Sequence, residues 1–338
     1  MPPAKLNLLL SVGDALPEGH ADTPAGKAGY HAISSWFASI SLHDELTISP
    51  RAKGSCADDA STWASVSWHA DAPAPSPIDW PLDKDLAVRA ARALERHAGK
   101  PLAISLTLAK RIPVGAGLGG GSSDAASTLL ALRGAHAPGV SDEALLTLAS
   151  ELGSDVAYFV RMGLLAQHAD ARWSTGALVD GLGELVAPLP APREPIVLIV
   201  SSLACATREV YRTFDELRTL RRAELAGEGK VPRPYDAPRR ETVHRRSQEM
   251  SAARALNERK LVNDLELAAL RTQPALGPLK TALGKATRRL VHITGSGSAM
   301  FIVPERGKAP WTLERARTVC ASDVGTSVHA KALPINIV

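Results

Sequence analysis

Between Gly115 and Gly121 the chain sets five glycines in seven residues, and two serines follow at once. Upstream, Leu102 to Leu108 alternates apolar and polar residues, the period of a half-buried strand. Downstream, Ala125, Ala126, Leu129, Leu130 and Leu132 suit the buried face of a helix, with Ser122 or Ser123 as its N-cap. A strand, a glycine loop and a helix N-terminus in that order restrict the chain strongly. Glycines allow positive φ angles and let a ligand approach backbone N–H groups without Cβ interference. The first helical turn adds unpaired N–H donors and the positive end of the dipole. The predicted product is an anion site suited to nucleotide phosphates. A flexible linker would not be bounded directly by an apolar strand and helix.

Two common phosphate loops fit less well. A Walker A loop ends in Gly-Lys-Ser/Thr, and no lysine follows these glycines. Gly115-x-Gly117-x-x-Gly120 does satisfy the dinucleotide fingerprint. That fingerprint needs an acidic residue about twenty positions on, closing a second strand. Here Asp142 and Glu143 instead open a helix running from Ser141 to Leu152, closed by Gly153 as its C′ residue.

Composition sets the class. A chain of 338 residues, 45% hydrophobic and 22% charged, predicts a soluble protein of about two domains. Cys56, Cys205 and Cys320 are odd in number, far apart and in no metal-ligand spacing, which predicts a reducing cytoplasm and no disulfides. No signal-peptide core and no run of about eighteen apolar residues is present, so no membrane partner is expected. The net charge of +4 arises locally, since residues 208–260 hold fourteen Lys/Arg against nine Asp/Glu. Aromatics there are limited to Tyr211, Phe214 and Tyr235, so a solvated charged helix pair is expected rather than a nucleic-acid surface.

In chain order, Leu6 to Leu10 reads as a short buried strand, and residues 11–29 as a Gly/Pro/Ala-rich loop. Ile33–Leu42 and Asp44–Ile48 read as strands. Residues 49–81 form a surface excursion, a hairpin with an irregular tip, which packs through Trp63, Trp68 and Trp80. Asp85 opens a helix. A longer hairpin containing His168 and Trp173 is expected between Met162 and Gly181. Pro188 to Pro195 is a stiff, donor-poor linker and the candidate boundary between domains 1–195 and 196–338. Beyond it come a strand at Ile196–Val200, a helix from Thr207, a helix start at Asn263-Asp-Leu-Glu266, a strand at Leu290–Ile293, a glycine turn at Thr294-Gly-Ser-Gly-Ser298, and a helix from Trp311 to Cys320.

The run Lys110-Arg-Ile-Pro113 followed by Gly117-Leu-Gly-Gly-Gly-Ser-Ser-Asp-Ala-Ala126 resembles the phosphate-binding motif of the GHMP kinases. Within that superfamily, the triple glycine and the acidic residue resemble the branch that acts on a cytidine-diphosphate alcohol. Further segments match in order: Pro3–Leu8, Gly29-Tyr-His31, Gly153-Ser-Asp-Val156 and Thr294–Ser298. The resemblance covers nearly the whole chain. It implies an α+β, two-domain GHMP kinase fold with a left-handed crossover in the N-terminal domain and a ferredoxin-like C-terminal domain. The active site would lie in the interdomain cleft.

The implied chemistry is ATP-dependent phosphorylation, with Mg²⁺, of the 2-hydroxyl of 4-diphosphocytidyl-2-C-methyl-D-erythritol, on the methylerythritol phosphate route to isoprenoid precursors. In the matching positions Asp155 is the catalytic base and Lys5 lies beside the reacting hydroxyl. Pro113, Val114, Gly115, Ala116, Gly117, Leu118, Gly119, Gly120, Gly121, Ser122 and Ser123 would bind ATP, with Ser123 a metal contact. Asn7, Tyr30, His31, Thr207 and Tyr211 would bind the substrate, Tyr30 and Tyr211 sandwiching the cytosine. Asp85 stands where the family has Asn, a departure on the adenine side. Another GHMP kinase of homoserine or mevalonate type, or a non-catalytic relative using residues 49–81 and 215–260 as partner surfaces, remains an alternative.

Overall fold

The computed structural model describes residues 1–17, 29–168, 176–228 and 238–338. The expected loop at 18–28, Trp173 and the charged stretch at 229–237 lie outside the described residues.

The central element is β1 (Pro3–Ala15), buried without interruption from Ala4 to Val12. Such continuous burial marks a strand covered on both faces. Antiparallel pairing with β2 (His31–His43) carries β1 five residues past its apolar run, as far as Ala15 opposite His31. Asp264 holds that extension, its Oδ2 accepting from Ser11 Oγ at 2.8 Å and the Val12 amide at 3.0 Å. Residues 11–15 are therefore strand rather than the expected loop, because partner strands override local turn composition.

β3 (Glu45–Pro50) follows, and then the excursion, which is not a hairpin. It carries β4 (Ala64–Trp68), which runs parallel to β5 (Ile104–Lys110) after the helix α1 (Leu86–Ala98). A parallel partner some forty residues downstream leaves no local signal. Trp63 is buried at its base, while the Trp68 and Trp80 indoles donate to Ser76 O and Asp85 Oδ2. The Glu95 carboxylate of α1 stitches the excursion down, accepting from the amides of Cys56, Ala57 and Leu102 and from Ser55 Oγ. Burial alone would raise the Glu95 pKa, but these donors hold it below the ordinary value.

Three helices come next: α2 (Gly120–His136), α3 (Asp142–Leu152) and α4 (Ser154–His168). Ser141, read as the first residue of this helix, is its N-cap, the hydroxyl accepting from the Ala144 amide. Gly153 is extended (φ 163°, ψ 154°) rather than left-handed, so the α3–α4 corner is a break between helices and not a glycine C′ cap. β6 (Gly176–Gly181) and β7 (Leu185–Pro188), with the later strand β9 (Val262–Asn263), complete a five-stranded sheet in the order β7-β6-β2-β1-β9. Beside it stands the three-stranded sheet β3-β5-β4.

After residues 189–194 the chain enters another sheet at β8 (Pro195–Val200). There follow α5 (Thr207–Gly227), α6 (Arg240–Ala253), β9 (Val262–Asn263), α7 (Glu266–Thr272), α8 (Leu276–Thr287), β10 (Val291–Ile293), β11 (Met300–Ile302), α9 (Ala309–Cys320), α10 (Asp323–Thr326) and β12 (Lys331–Asn336). The sheet order is β10-β11-β8-β12, every pair antiparallel. The C-terminal part also reaches back across the linker. β9 pairs in parallel with β1, and Ile337 bridges Ile40. The two parts are therefore joined by strand pairing as well as by the linker. No helix among the described residues is long and apolar enough to cross a membrane.

Candidate active site

The glycine loop enters α2 through Gly119, left-handed at φ 71°, with Gly115 and Gly117 also at positive φ. Ser122 and Ser123 therefore lie inside the first turn, not at the N-cap. A glycine cap offers no side-chain acceptor, so the first N–H groups of α2 face the loop uncovered. Ser122 lines the cleft cavity of about 600 Å³. Ser123 faces away from it, with its Oγ fully buried and without a hydrogen-bond partner.

The second glycine turn, 294–298, lies backbone to backbone against the first. A Cβ on Gly297 would stand 1.9 Å from the Ala116 carbonyl carbon, and one on Gly117 2.6 Å from Thr294 O. The Ala299 amide donates to Ala116 O at 3.1 Å. Asn263 fixes the outer turn, its Nδ2 donating to Ile293 O (2.9 Å) and Gly295 O (2.8 Å) while its Oδ1 accepts from the Leu265 amide. The sequence reading gave Asn263–Glu266 as a helix start, but Asn263 lies in β9 and the helix begins at Glu266. The anchoring role of Asn263 depends on contacts thirty residues away, which no local pattern reports.

Lys5 and Asp155 meet across this loop. The Lys5 amide donates to Leu118 O at 2.9 Å, which binds β1 to the glycines. Its Nζ donates to Asn7 Oδ1 at 2.7 Å, lies 3.5 Å from Asp155 Oδ2, and sits 4.6 Å above the Phe37 ring. Asn7 is fixed in turn. Its Nδ2 donates to Ser35 Oγ, whose hydroxyl is committed to Leu9 O, and its backbone amide donates to Thr294 Oγ1. The Lys5 side chain is 6% exposed, whereas Asp155, in the first turn of α4, is 30% exposed and opens on the cavity. A carboxylate beside an ammonium, reachable from solvent and next to an anion cradle, can take a proton from a bound hydroxyl.

On the other side of the loop sequence reasoning missed a second constellation. Lys110 Nζ donates to Asp44 Oδ2 at 2.5 Å and Asp124 Oδ2 at 2.6 Å, with all three residues buried. Asp44 Oδ1 accepts the amides of Arg111 and Ile112, and the Asp44 amide donates to Pro2 O. The group thus ties the entrance of the glycine loop to the first turn of α2 and to the start of β1. Burial alone would lower the Lys110 pKa, but the two carboxylates outweigh it and hold the amine above its ordinary value. Burial drives the Asp124 carboxyl upward against the pull of Lys110. Lys110 and Asp124 flank the motif in sequence, but Asp44, sixty-six residues before Lys110, gave no signal.

The end of the cavity nearest α5 is built less tightly. Tyr211, on the first turns of α5, lines the cavity, and Thr207 Oγ1 lies 3.0 Å from Ser296 Oγ of the second glycine turn. The His31 ring stands behind Tyr211, 4.8 Å between centroids, with Nε2 2.8 Å from Asp215 Oδ1. Tyr30 is 52% exposed, and neither it nor His31 lines the cavity. The structure therefore joins Lys5, Asn7, residues 113–122, Asp155, Thr207 and Tyr211 around one cavity, and leaves Tyr30, His31 and Ser123 off its wall.

Comparison with known proteins agrees with this geometry. The model of the GHMP kinases N terminal domain matches residues 85–163, from the cap of α1 into α4. The chain is 34% identical over 317 residues to a 4-diphosphocytidyl-2-C-methyl-D-erythritol kinase of Symbiobacterium thermophilum, covering 93% of each chain. It is 33% identical to that of Thermobifida fusca, covering 95% of this chain and 92% of the relative. Among solved structures, a 4-(cytidine 5'-diphospho)-2C-methyl-D-erythritol kinase superposes with a TM-score of 0.65 at 30% identity, over 99% of this chain and 98% of the other. The mevalonate kinase of L. major superposes at 0.60 with 11% identity, a likeness of fold alone.

Proposed function

We infer, from the premise that the chain belongs to the 4-diphosphocytidyl-2-C-methyl-D-erythritol kinase family, that it phosphorylates the 2-hydroxyl of 4-diphosphocytidyl-2-C-methyl-D-erythritol in the methylerythritol phosphate pathway. It is an ATP-dependent small-molecule kinase of the GHMP type, with a two-domain α+β architecture. The observation that carries the mechanism is the Lys5–Asp155 pair, 3.5 Å apart on a cavity walled by the glycine loop.

Phosphoryl transfer asks a protein for positioning and charge stabilisation more than for covalent chemistry. The N–H groups of the loop and of the first turn of α2 cradle the ATP phosphates, a reading supported by the bare Gly119 entry and by the glycines that no Cβ could replace. Asp155 accepts the hydroxyl proton of the substrate. Lys5, steered by Asn7 and lying over Phe37, holds positive charge beside the attacking oxygen and the transferring group. Mg²⁺ would enter with phosphates held on the N–H groups of the loop, and the Ser122 hydroxyl oxygen on the cavity wall would be its contact with the protein. Bound there, the ion would neutralise phosphate charge. Thr207 and Tyr211 on the cavity wall would face the cytidyl end.

ADP release by purified protein with ATP and Mg²⁺ tests the reading. Turnover should depend on the cytidine-diphosphate alcohol and not arise with homoserine or mevalonate. Turnover with either of those alone would reassign the substrate.

A further inference from the structure

The cavity wall carries a hydroxyl that this mechanism leaves unused. Ser154 opens α4, stands next to Asp155 in the chain, is exposed, and lines the cavity. Among the described residues its Oγ makes no hydrogen bond. The hydroxyls of the preceding helix are all spent: Ser141 caps α3, while Thr147 and Ser150 donate to carbonyls one turn back. Ser154, at the head of its helix, has no earlier turn to donate to.

Its place is fixed from the side away from α3. The β6–β7 turn is tight, with Gly183 left-handed at φ 101° and the Leu182 amide donating to Glu184 Oε2 at 2.6 Å. A Cβ on Gly183 would stand 2.2 Å from Ser154 Cβ and 3.1 Å from its Cα. Only a bare backbone at Gly183 lets the turn close on Ser154 in this way. Packing so close restricts the side chain, and a restricted hydroxyl costs a ligand less to engage.

The neighbours select the ligand group. A phosphate at Ser154 would meet the Asp155 carboxylate one residue on. A hydroxyl carries no charge, and it gives and takes a hydrogen as Ser154 does. Adjacent side chains on the wall suit adjacent hydroxyls of one polyol, the reacting one on Asp155 and its neighbour on Ser154. The branched tetrol of the proposed substrate has a hydroxyl on each carbon flanking the reacting one. Homoserine and mevalonate have none beside the hydroxyl they would offer.

We propose that Ser154 is a specificity-determining residue: its hydroxyl binds a substrate hydroxyl vicinal to the one phosphorylated, so that the site reads a vicinal polyol. The inference rests on the reading that Asp155 takes the proton of the 2-hydroxyl of the cytidine-diphosphate alcohol.

The test is steady-state kinetics, with ATP and Mg²⁺, on the wild type and Ser154→Ala. The acceptors are 4-diphosphocytidyl-2-C-methyl-D-erythritol and its 1-deoxy and 3-deoxy analogues. On the wild type, one analogue should lose roughly three- to tenfold in kcat/KM, the worth of one neutral hydrogen bond. Which analogue it is identifies the hydroxyl. Ser154→Ala should lose a similar factor on the full substrate and no longer distinguish it from that analogue, while KM for ATP holds. A variant with wild-type kcat/KM, or one that discriminates both analogues as the wild type does, would overturn the proposal and leave the proposed kinase activity standing. An equal rise in KM for ATP would reduce Ser154 to a support of the cleft. A wild type that turns over none of the three acceptors would remove the substrate itself, and this assignment with it.

Discussion

Two lysine–aspartate constellations flank one glycine loop, and they are built in opposite ways. Lys5 and Asp155 stand 3.5 Å apart, and the aspartate is 30% exposed. Lys110 is clamped between Asp44 and Asp124 at 2.5 and 2.6 Å, with no carboxylate more than 2% exposed. A group that must exchange a proton with an incoming hydroxyl has to remain reachable and loosely engaged. A group that holds a loop gains from tight, dry bonds, because removing one partner strands a buried charge. On the proposed mechanism the same residue types thus give a proton-exchanging pair on one side and a fastening on the other, and burial separates the two.

Five substitutions would break or sharpen that contrast. Asp155→Asn should lower kcat by ~10²–10⁴, the usual contribution of a general base. Its thermal midpoint and ATP affinity should stay near those of the wild type; near-normal kcat would dissolve the contrast at its catalytic end. Lys110→Met should do the reverse, costing about 3–5 kcal/mol of stability by leaving two buried carboxylates unpaired. Urea unfolding reads this directly, and a variant as stable as the wild type would show that the buried cluster fastens nothing.

Gly297→Ala addresses the layer behind both constellations. Its Cβ would lie 1.9 Å from the Ala116 carbonyl carbon, so the two glycine turns must part. Overpacking of this kind costs ~1–3 kcal/mol, and nucleotide binding should weaken along with stability. Unaltered ATP affinity in a folded variant would show that the second turn does not support the first. Tyr211→Ala should weaken binding of CDP by ~1–3 kcal/mol, the range of base–aromatic stacking, while leaving ATP binding alone. Because Tyr30 lies off the cavity wall, the same change there should cost less. Equal losses at the two positions would mean that the ligand draws Tyr30 over itself.

Short-range patterns were legible in advance. The alternation before Lys110, the helix ending at Leu152, the Asp85 start of α1 and the strand at 196–200 all appear where residue periods and caps put them. Ordered motifs also carried the family resemblance and with it Lys5 and Asp155. The misreadings share one cause. β1 runs on to Ala15 because β2 and Asp264 hold it. β4 pairs in parallel with a strand beyond α1. Ser122 and Ser123 fall inside α2 because a left-handed Gly119 begins the helix earlier. In each case a partner distant in sequence, or a backbone angle open to glycine, outweighed local propensity.

By itself, then, the sequence determined that a strand, a glycine loop and a helix would make an anion cradle, since those depend on backbone freedom and on contacts a few residues long. Only the tertiary structure decided what surrounds the cradle. Asp44 reaches Lys110 across sixty-six residues, Asn7 is oriented by Ser35 and Thr294, and the two glycine turns touch from opposite ends of the chain. Those contacts are set by how strands are ordered and sheets are packed. Desolvation, which separates a reachable Asp155 from a sealed Asp124, exists only once the chain has folded around them.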